Sequence, residues 1–154
     1  MDLLQELRTL TQRLDEAHLE YALCGGLAMA IYALPRATLD IDLLVPSEAL
    51  GPVKAVAQSL GFTFVANPME FHGGQVQIHR VTKLDPGTNE ALVLDLLVVS
   101  SATLSAWEAR RVLDWAGGRL AVLSPGGLIA LKRLRGSGQD LDDIAYLQGL
   151  EDEA

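Results

Sequence analysis

Asp40 and Asp42 stand two residues apart in Leu39-Asp40-Ile41-Asp42-Leu43-Leu44-Val45, an otherwise apolar run. In a strand, residues i and i+2 share a face, so both carboxylates point the same way. Two unit like charges about 4 Å apart repel by roughly 4 kcal/mol at an effective dielectric of ~20. Such a pair calls for a cation, and its oxygen donors suit magnesium, which also accepts phosphate oxygens. A third carboxylate, Asp95, interrupts the apolar run Leu92-Val93-Leu94-Asp95-Leu96-Leu97-Val98-Val99. An ionised Asp is expensive there unless it is paired or metal-bound. Upstream, Gly25-Gly26 follows Cys24 where a short apolar strand gives way to a helix. Glycines at such a junction let backbone N–H groups approach an anion, beside the positive end of the helix dipole. Each feature has a plainer reading alone: a structural turn, a solvent-facing pair at a strand end, a strand-end Asp bonded to neighbouring backbone. Together, a phosphate-binding bend followed by three carboxylates on central strands fits two-metal phosphoryl or nucleotidyl transfer.

The elements that must position these residues follow from periodicity. Leu3, Leu4, Leu7, Leu10 and Leu14 recur at helical spacing and predict an amphipathic helix over 2–18. Residues 21–24 read as a strand, and 27–34 as a helix stopped by Pro35. The acidic pair opens a strand over 40–45. Ser47 has the form of an N-cap for a helix over 48–60, closed by Gly61. Strands over 62–65 and 75–81 flank Gly73-Gly74, and Asp85-Pro86-Gly87 marks a turn before the strand at 92–99. A short helix near 103–110 precedes two small strands, 111–113 and 119–123, joined through Gly117-Gly118. Ser124-Pro125 combines an N-cap with proline at the first helical position and opens a helix over 126–135. A last helix spans 140–150. The expected fold is α/β or α+β: a mixed central sheet flanked by helices, with a C-terminal helical pair.

Bulk properties narrow the function. A chain of 154 residues suits one domain, placed at 1–150, with an acidic tail at 151–154. The net charge of −8 argues against a nonspecific nucleic-acid binder, which would need an excess of Lys and Arg. The lone Cys24 excludes an internal disulfide and a cysteine-based zinc site, and its apolar surroundings suit a buried thiol. Charge at helical spacing near the N-terminus is unlike a signal peptide, and no apolar run approaches the ~18 residues of a membrane span. The cytoplasm is therefore the expected location.

The stretch CGGLAMAIYALPRATLDIDLLV with the later LVLDLLV resembles the nucleotidyltransferases of the DNA polymerase β superfamily. The R-x-T-x-D-x-D spacing is most similar to AbiEii-type toxin nucleotidyltransferases. Aminoglycoside nucleotidyltransferases share a similar double-glycine and D-x-D arrangement. The resemblance rests mainly on residues 23–45 and 92–98. It implies a minimal nucleotidyltransferase fold in which Gly25 and Gly26 contact an NTP triphosphate through the backbone. It also implies that Asp40, Asp42 and Asp95 ligate two Mg2+ ions and form the catalytic triad. Asp95, nearest the acceptor, could help deprotonate the attacking hydroxyl. The family often has serine where Gly26 stands. Arg36 could bind a phosphate or merely neutralise the acidic pair, and Thr38 suits strand-entry hydrogen bonding. Lys132 matches a helical lysine that reaches the nucleotide phosphates in AbiEii-like proteins, against the alternative of a solvated basic helix face. Asp140 could cap the final helix, and Asp143 could pair with Lys132 or Arg133. Gln75, Gln77 and His79 share a strand face that is either an exposed polar surface or one wall of a cleft.

The leading functional expectation is Mg-dependent transfer of NMP from an NTP to a hydroxyl of RNA (such as a tRNA end), of a protein or of a small molecule. The resemblance adds the setting of a toxin with a cognate antitoxin. An aminoglycoside-type enzyme is the alternative, since an acidic surface suits a polycationic drug. Against it, the chain leaves little for a separate drug-binding domain. A non-catalytic nucleotide-binding or partner-binding module is a third reading, disfavoured because all three acidic positions are present.

Overall fold

The structure, a computed structural model, describes residues 1–32, 40–135, 145 and 147–149. Helix α1 (Leu3–Glu16) is capped by Asp2, whose carboxylate accepts from the Leu4 and Gln5 N–H groups. It buries Leu7, Leu10 and Leu14 completely, whereas Leu4 is 53% exposed. Leu3 lies one turn below Leu7 and packs on the core, so Leu4 is left outside that stripe.

Strand β1 (Ala22–Cys24) runs directly into helix α2 (Gly25–Ile31). The helix therefore starts at the double glycine rather than two residues beyond it. Its expected stop at Pro35 lies outside the described residues. Strand β2 occupies Asp40–Val45, as its alternation predicts. The expected Ser47 cap is absent. A 3-10 turn, Ser47–Ala49, precedes helix α3 (Leu50–Ser59), and the Ser47 hydroxyl donates to Glu48 rather than accepting a backbone N–H. Gly61, at φ +102°, closes α3 through its N–H to the Gln58 carbonyl.

Strand β3 (Phe62–Val65) is followed by a three-residue strand, β4 (Met69–Phe71), too short to leave a period in the sequence. Strands β5 (Val76–Leu84) and β6 (Ala91–Val98) form a long hairpin. In its loop the Asp85 carboxylate accepts the Gly87 N–H and its carbonyl accepts that of Asn89. Helix α4 (Leu104–Glu108) leads to the β7 (Arg111–Trp115) and β8 (Gly118–Val122) hairpin. Helix α5 (Pro125–Arg135) opens as expected, with the Ser124 hydroxyl accepting the Gly127 N–H at 3.1 Å. Of the final helix, residues 145 and 147–149 are described as helical, and Leu147 is fully buried.

Among the described residues eight strands form one mixed sheet in the order β3-β5-β6-β2-β1-β8-β7, with β4 also paired to β5. The centre is the parallel pair β2–β6, and β1 is antiparallel to β2. Alternation then separates two faces. Ile41, Leu43 and Val45 of β2 join Leu92, Leu94 and Leu96 of β6 and Val81 of β5 in the buried core. Helices α1 and α3 lie on this face: Lys83 of β5 reaches Glu6 of α1 at 3.0 Å, and His79 senses Lys54 of α3. Burial, and then that lysine, push the His79 imidazole below its ordinary pKa. His79 thus belongs to the α3 side of the sheet. Among the described residues no helix is long and apolar enough to cross a membrane.

Replacing Ser124 by Ala removes the α5 cap while leaving the core intact. The expected loss is about 1 kcal/mol in urea unfolding, with an unchanged denaturant slope.

Candidate active site

The opposite face of the sheet carries the acidic residues. In β2, Asp40, Asp42 and Leu44 alternate with the core residues and line a cavity of about 530 Å³. Asp42 is the register partner of Asp95 on parallel β6 and of Cys24 on β1. Neighbouring strands are spaced about 4.8 Å apart, so Asp42 and Asp95 are side by side on one face. Asp40 lies one pleat further along β2. Gly25, Gly26 and Lys132 line the same cavity. The structure therefore gathers six of the seven residues singled out from the sequence, and Arg36 lies outside the described residues, as do Thr38, Asp140 and Asp143.

Two features were not legible beforehand. The first is the use made of Gly25. Its φ is +69°, and a Cβ built there would fall 2.2 Å from Asp42 Oδ2 and 2.8 Å from Asp42 Cγ. The missing side chain is thus the space in which the Asp42 carboxylate lies, apart from any approach of a phosphate to the backbone. The second is Arg80, the β5 register partner of Asp95. Its Nε donates to Asp95 Oδ1 at 2.8 Å and its Nη2 to Oδ2 at 3.0 Å. Asp95 is only 6% exposed, so this fork supplies the partner that an ionised carboxylate in an apolar strand requires. The Asp95 hydrogen bonds, its charge and then those of Asp40 and Asp42 hold the guanidinium pKa above its usual value. A signal existed in the sequence. Arg80 and Asp95 lie equally far from the Asp85–Glu90 loop, so hairpin pairing alone puts them opposite each other.

The remaining walls come from α5 and from the region of β4 and β5. Lys132 on α5 is 6% exposed and sits among Leu128, Leu131 and Leu134, so it is no solvated surface lysine. Phe71, His72, Gln75, Val76 and Ile78 form the other side. Among the described lining residues three carboxylates face two cations, Arg80 and Lys132. That balance leaves net negative charge, and hard oxygen donors are what a divalent cation takes. Yet among the described residues no three His, Cys, Asp or Glu side chains gather about one metal position. Asp40, Asp42 and Asp95 share a face and a cavity, but Asp95 turns both oxygens to Arg80.

The architecture is that of a nucleotidyltransferase fold. A candidate nucleotidyltransferase from Thermotoga maritima matches with a TM-score of 0.64 at 15% identity, over 98% of this chain and 93% of that one. ANT(2″)-Ia in complex with adenylyl-2″-tobramycin matches with a TM-score of 0.60 at 15% identity, over 92% of this chain and 84% of that one. JHP933 from Helicobacter pylori matches with a TM-score of 0.50 at 20% identity, over 94% of this chain and 64% of that one. No protein-family model and no curated protein sequence matches the chain.

A methyl group at position 25 should collide with Asp42. Gly25→Ala is expected to cost about 1–3 kcal/mol from backbone strain alone. In an Asp42→Ala background the penalty should shrink. A double-mutant cycle in urea should therefore give a coupling energy of about 1 kcal/mol or more.

Proposed function

We propose that the chain is a magnesium-dependent nucleotidyltransferase, moving NMP from an NTP to a hydroxyl acceptor with release of pyrophosphate. The observation that carries this reading is the register match of Asp42 with Asp95, with Asp40 on the same face, in the cavity that Gly25 and Lys132 also line. Asp40 and Asp42 would hold the cations and Asp95 would complete their ligand set. Ions bound there supply Lewis-acid activation of the hydroxyl and neutralise charge on the triphosphate. The acceptor oxygen bonds to the α-phosphorus as the bond to the bridging oxygen breaks, and pyrophosphate departs. Asp95 takes the hydroxyl proton. Lys132, on the opposite wall, would meet the phosphates as a point charge. The backbone at Gly25 and Gly26 would line the triphosphate path, and Arg36 would add a further phosphate contact.

For the acceptor, the likeness to ANT(2″)-Ia, whose bound ligand is an adenylylated aminoglycoside, favours a small-molecule hydroxyl. A second reading keeps the AbiEii-type resemblance: an RNA or protein acceptor and a toxin with its antitoxin. It is supported by the R-x-T-x-D-x-D stretch, whose Asp40 and Asp42 face the cavity.

Each α-labelled NTP, incubated with Mg2+ and in turn with aminoglycosides, total RNA and protein extract, separates the readings by what becomes labelled. Label on RNA or protein supports the toxin reading, and nucleotide binding without pyrophosphate release in any mixture sinks the enzyme reading. Asp42→Asn should lower pyrophosphate release by roughly a hundredfold or more while the fold persists by circular dichroism. Lys132→Ala should raise the KM for NTP by about tenfold, with a smaller change in kcat.

A further inference from the structure

We propose that Arg80 is a positioning residue whose fork on Asp95 competes with divalent-cation loading. The inference rests on the proposed metal-dependent reading of the site. Arg80 sits in the same cross-strand row as Asp42 and Asp95, and its fork takes both Asp95 oxygens at 2.8 and 3.0 Å. An ionised carboxylate has two oxygens to offer, and a guanidinium matches both at once. While the fork is closed, Asp95 is aimed along the sheet towards β5. The three carboxylates then do not surround one point, in keeping with the absence of a ready three-ligand cluster among the described residues. To join Asp40 and Asp42 around a cation, Asp95 must give up at least one of the two bonds. The Arg80 side chain can accommodate this, because it is 41% exposed whereas that of Asp95 is 9% exposed. The guanidinium thus holds the place of a cation in the metal-free protein and fixes the direction in which the Asp95 carboxylate points. Metal loading and opening of the fork are two sides of one equilibrium, so removing the fork must shift metal affinity.

The experiment measures Mn2+ binding by electron paramagnetic resonance, with and without a non-hydrolysable NTP analogue, in the native chain, Arg80→Gln and Arg80→Lys. Circular dichroism checks each fold. Arg80→Gln should bind Mn2+ roughly threefold to tenfold more tightly than the native chain, the gain expected from releasing one partly exposed ion pair. Arg80→Lys keeps the charge but cannot grip both oxygens, so it should also bind more tightly, by a smaller factor. If Arg80→Lys equals the native chain while Arg80→Gln gains affinity, net charge alone is responsible and the competing fork is wrong. Unchanged or weaker binding in Arg80→Gln overturns the proposal as well. If no form binds Mn2+ even with the analogue present, the metal-dependent reading itself fails. If the native chain binds Mn2+ and the substitutions have no effect, only the role given to Arg80 fails.

Discussion

The parallel pairing of β2 with β6 sets two carboxylates beside each other at the centre of an apolar sheet. Hydrophobic burial on the α1 and α3 face holds that arrangement against like-charge repulsion. Leu43 and Leu96 are register partners, as are Ile41 and Leu94, and all four side chains are fully buried. The next residues along the same strands are Asp42 and Asp95. The electrostatic cost on one face is therefore met by packing on the other and by the cations around the cavity. Arg80 takes Asp95, and Lys132 is buried across the opening.

That dependence explains which parts could be read from the sequence. The boundaries of β2 and the start of α5 were legible because each has a local signal: alternation in one case, Ser-Pro capping in the other. The placement of Asp40, Asp42 and Asp95 on one face was legible for a similar reason, since charge inside an apolar strand is conspicuous without knowledge of any partner. Strand β4 was not legible, because three residues cannot establish a period and the strand exists only through its pairing with β5. Ser47 does not cap α3 because a 3-10 turn intervenes, and nothing local distinguishes that turn from a first helical turn. Arg80 was not legible from the Asp95 strand alone, because it belongs to the neighbouring strand β5. The hairpin register that joins them is long-range information, although counting outward from the Asp85–Glu90 loop would have recovered it.

The double glycine has a steric reason in the fold that its local sequence context does not reveal. Read locally, glycine at a strand-to-helix junction suggests close approach by an anion. In the fold, Gly25 is also needed because Asp42 lies where its Cβ would stand and because its φ is positive. Steric room and backbone conformation both favour glycine at this position. The steric reason exists with or without a ligand, so it belongs to the stability of the folded chain.

Register ties these observations together. A one-residue slip of β2 against β6 would exchange the two faces, moving Asp42 into the leucine core and exposing Ile41 and Leu43 to the cavity. The leucines that make such a slip prohibitive are interleaved with the aspartates, so the core and the acidic site specify the same alignment. On β5 the same alternation puts Val81 into the core and Arg80 opposite Asp95. Four strands therefore contribute Cys24, Asp42, Asp95 and Arg80 to a single row across the sheet. The position of each is fixed by backbone pairing and by burial on the far face rather than by mutual attraction. This arrangement lets the Arg80–Asp95 pair open while the strands that carry the two residues stay in place.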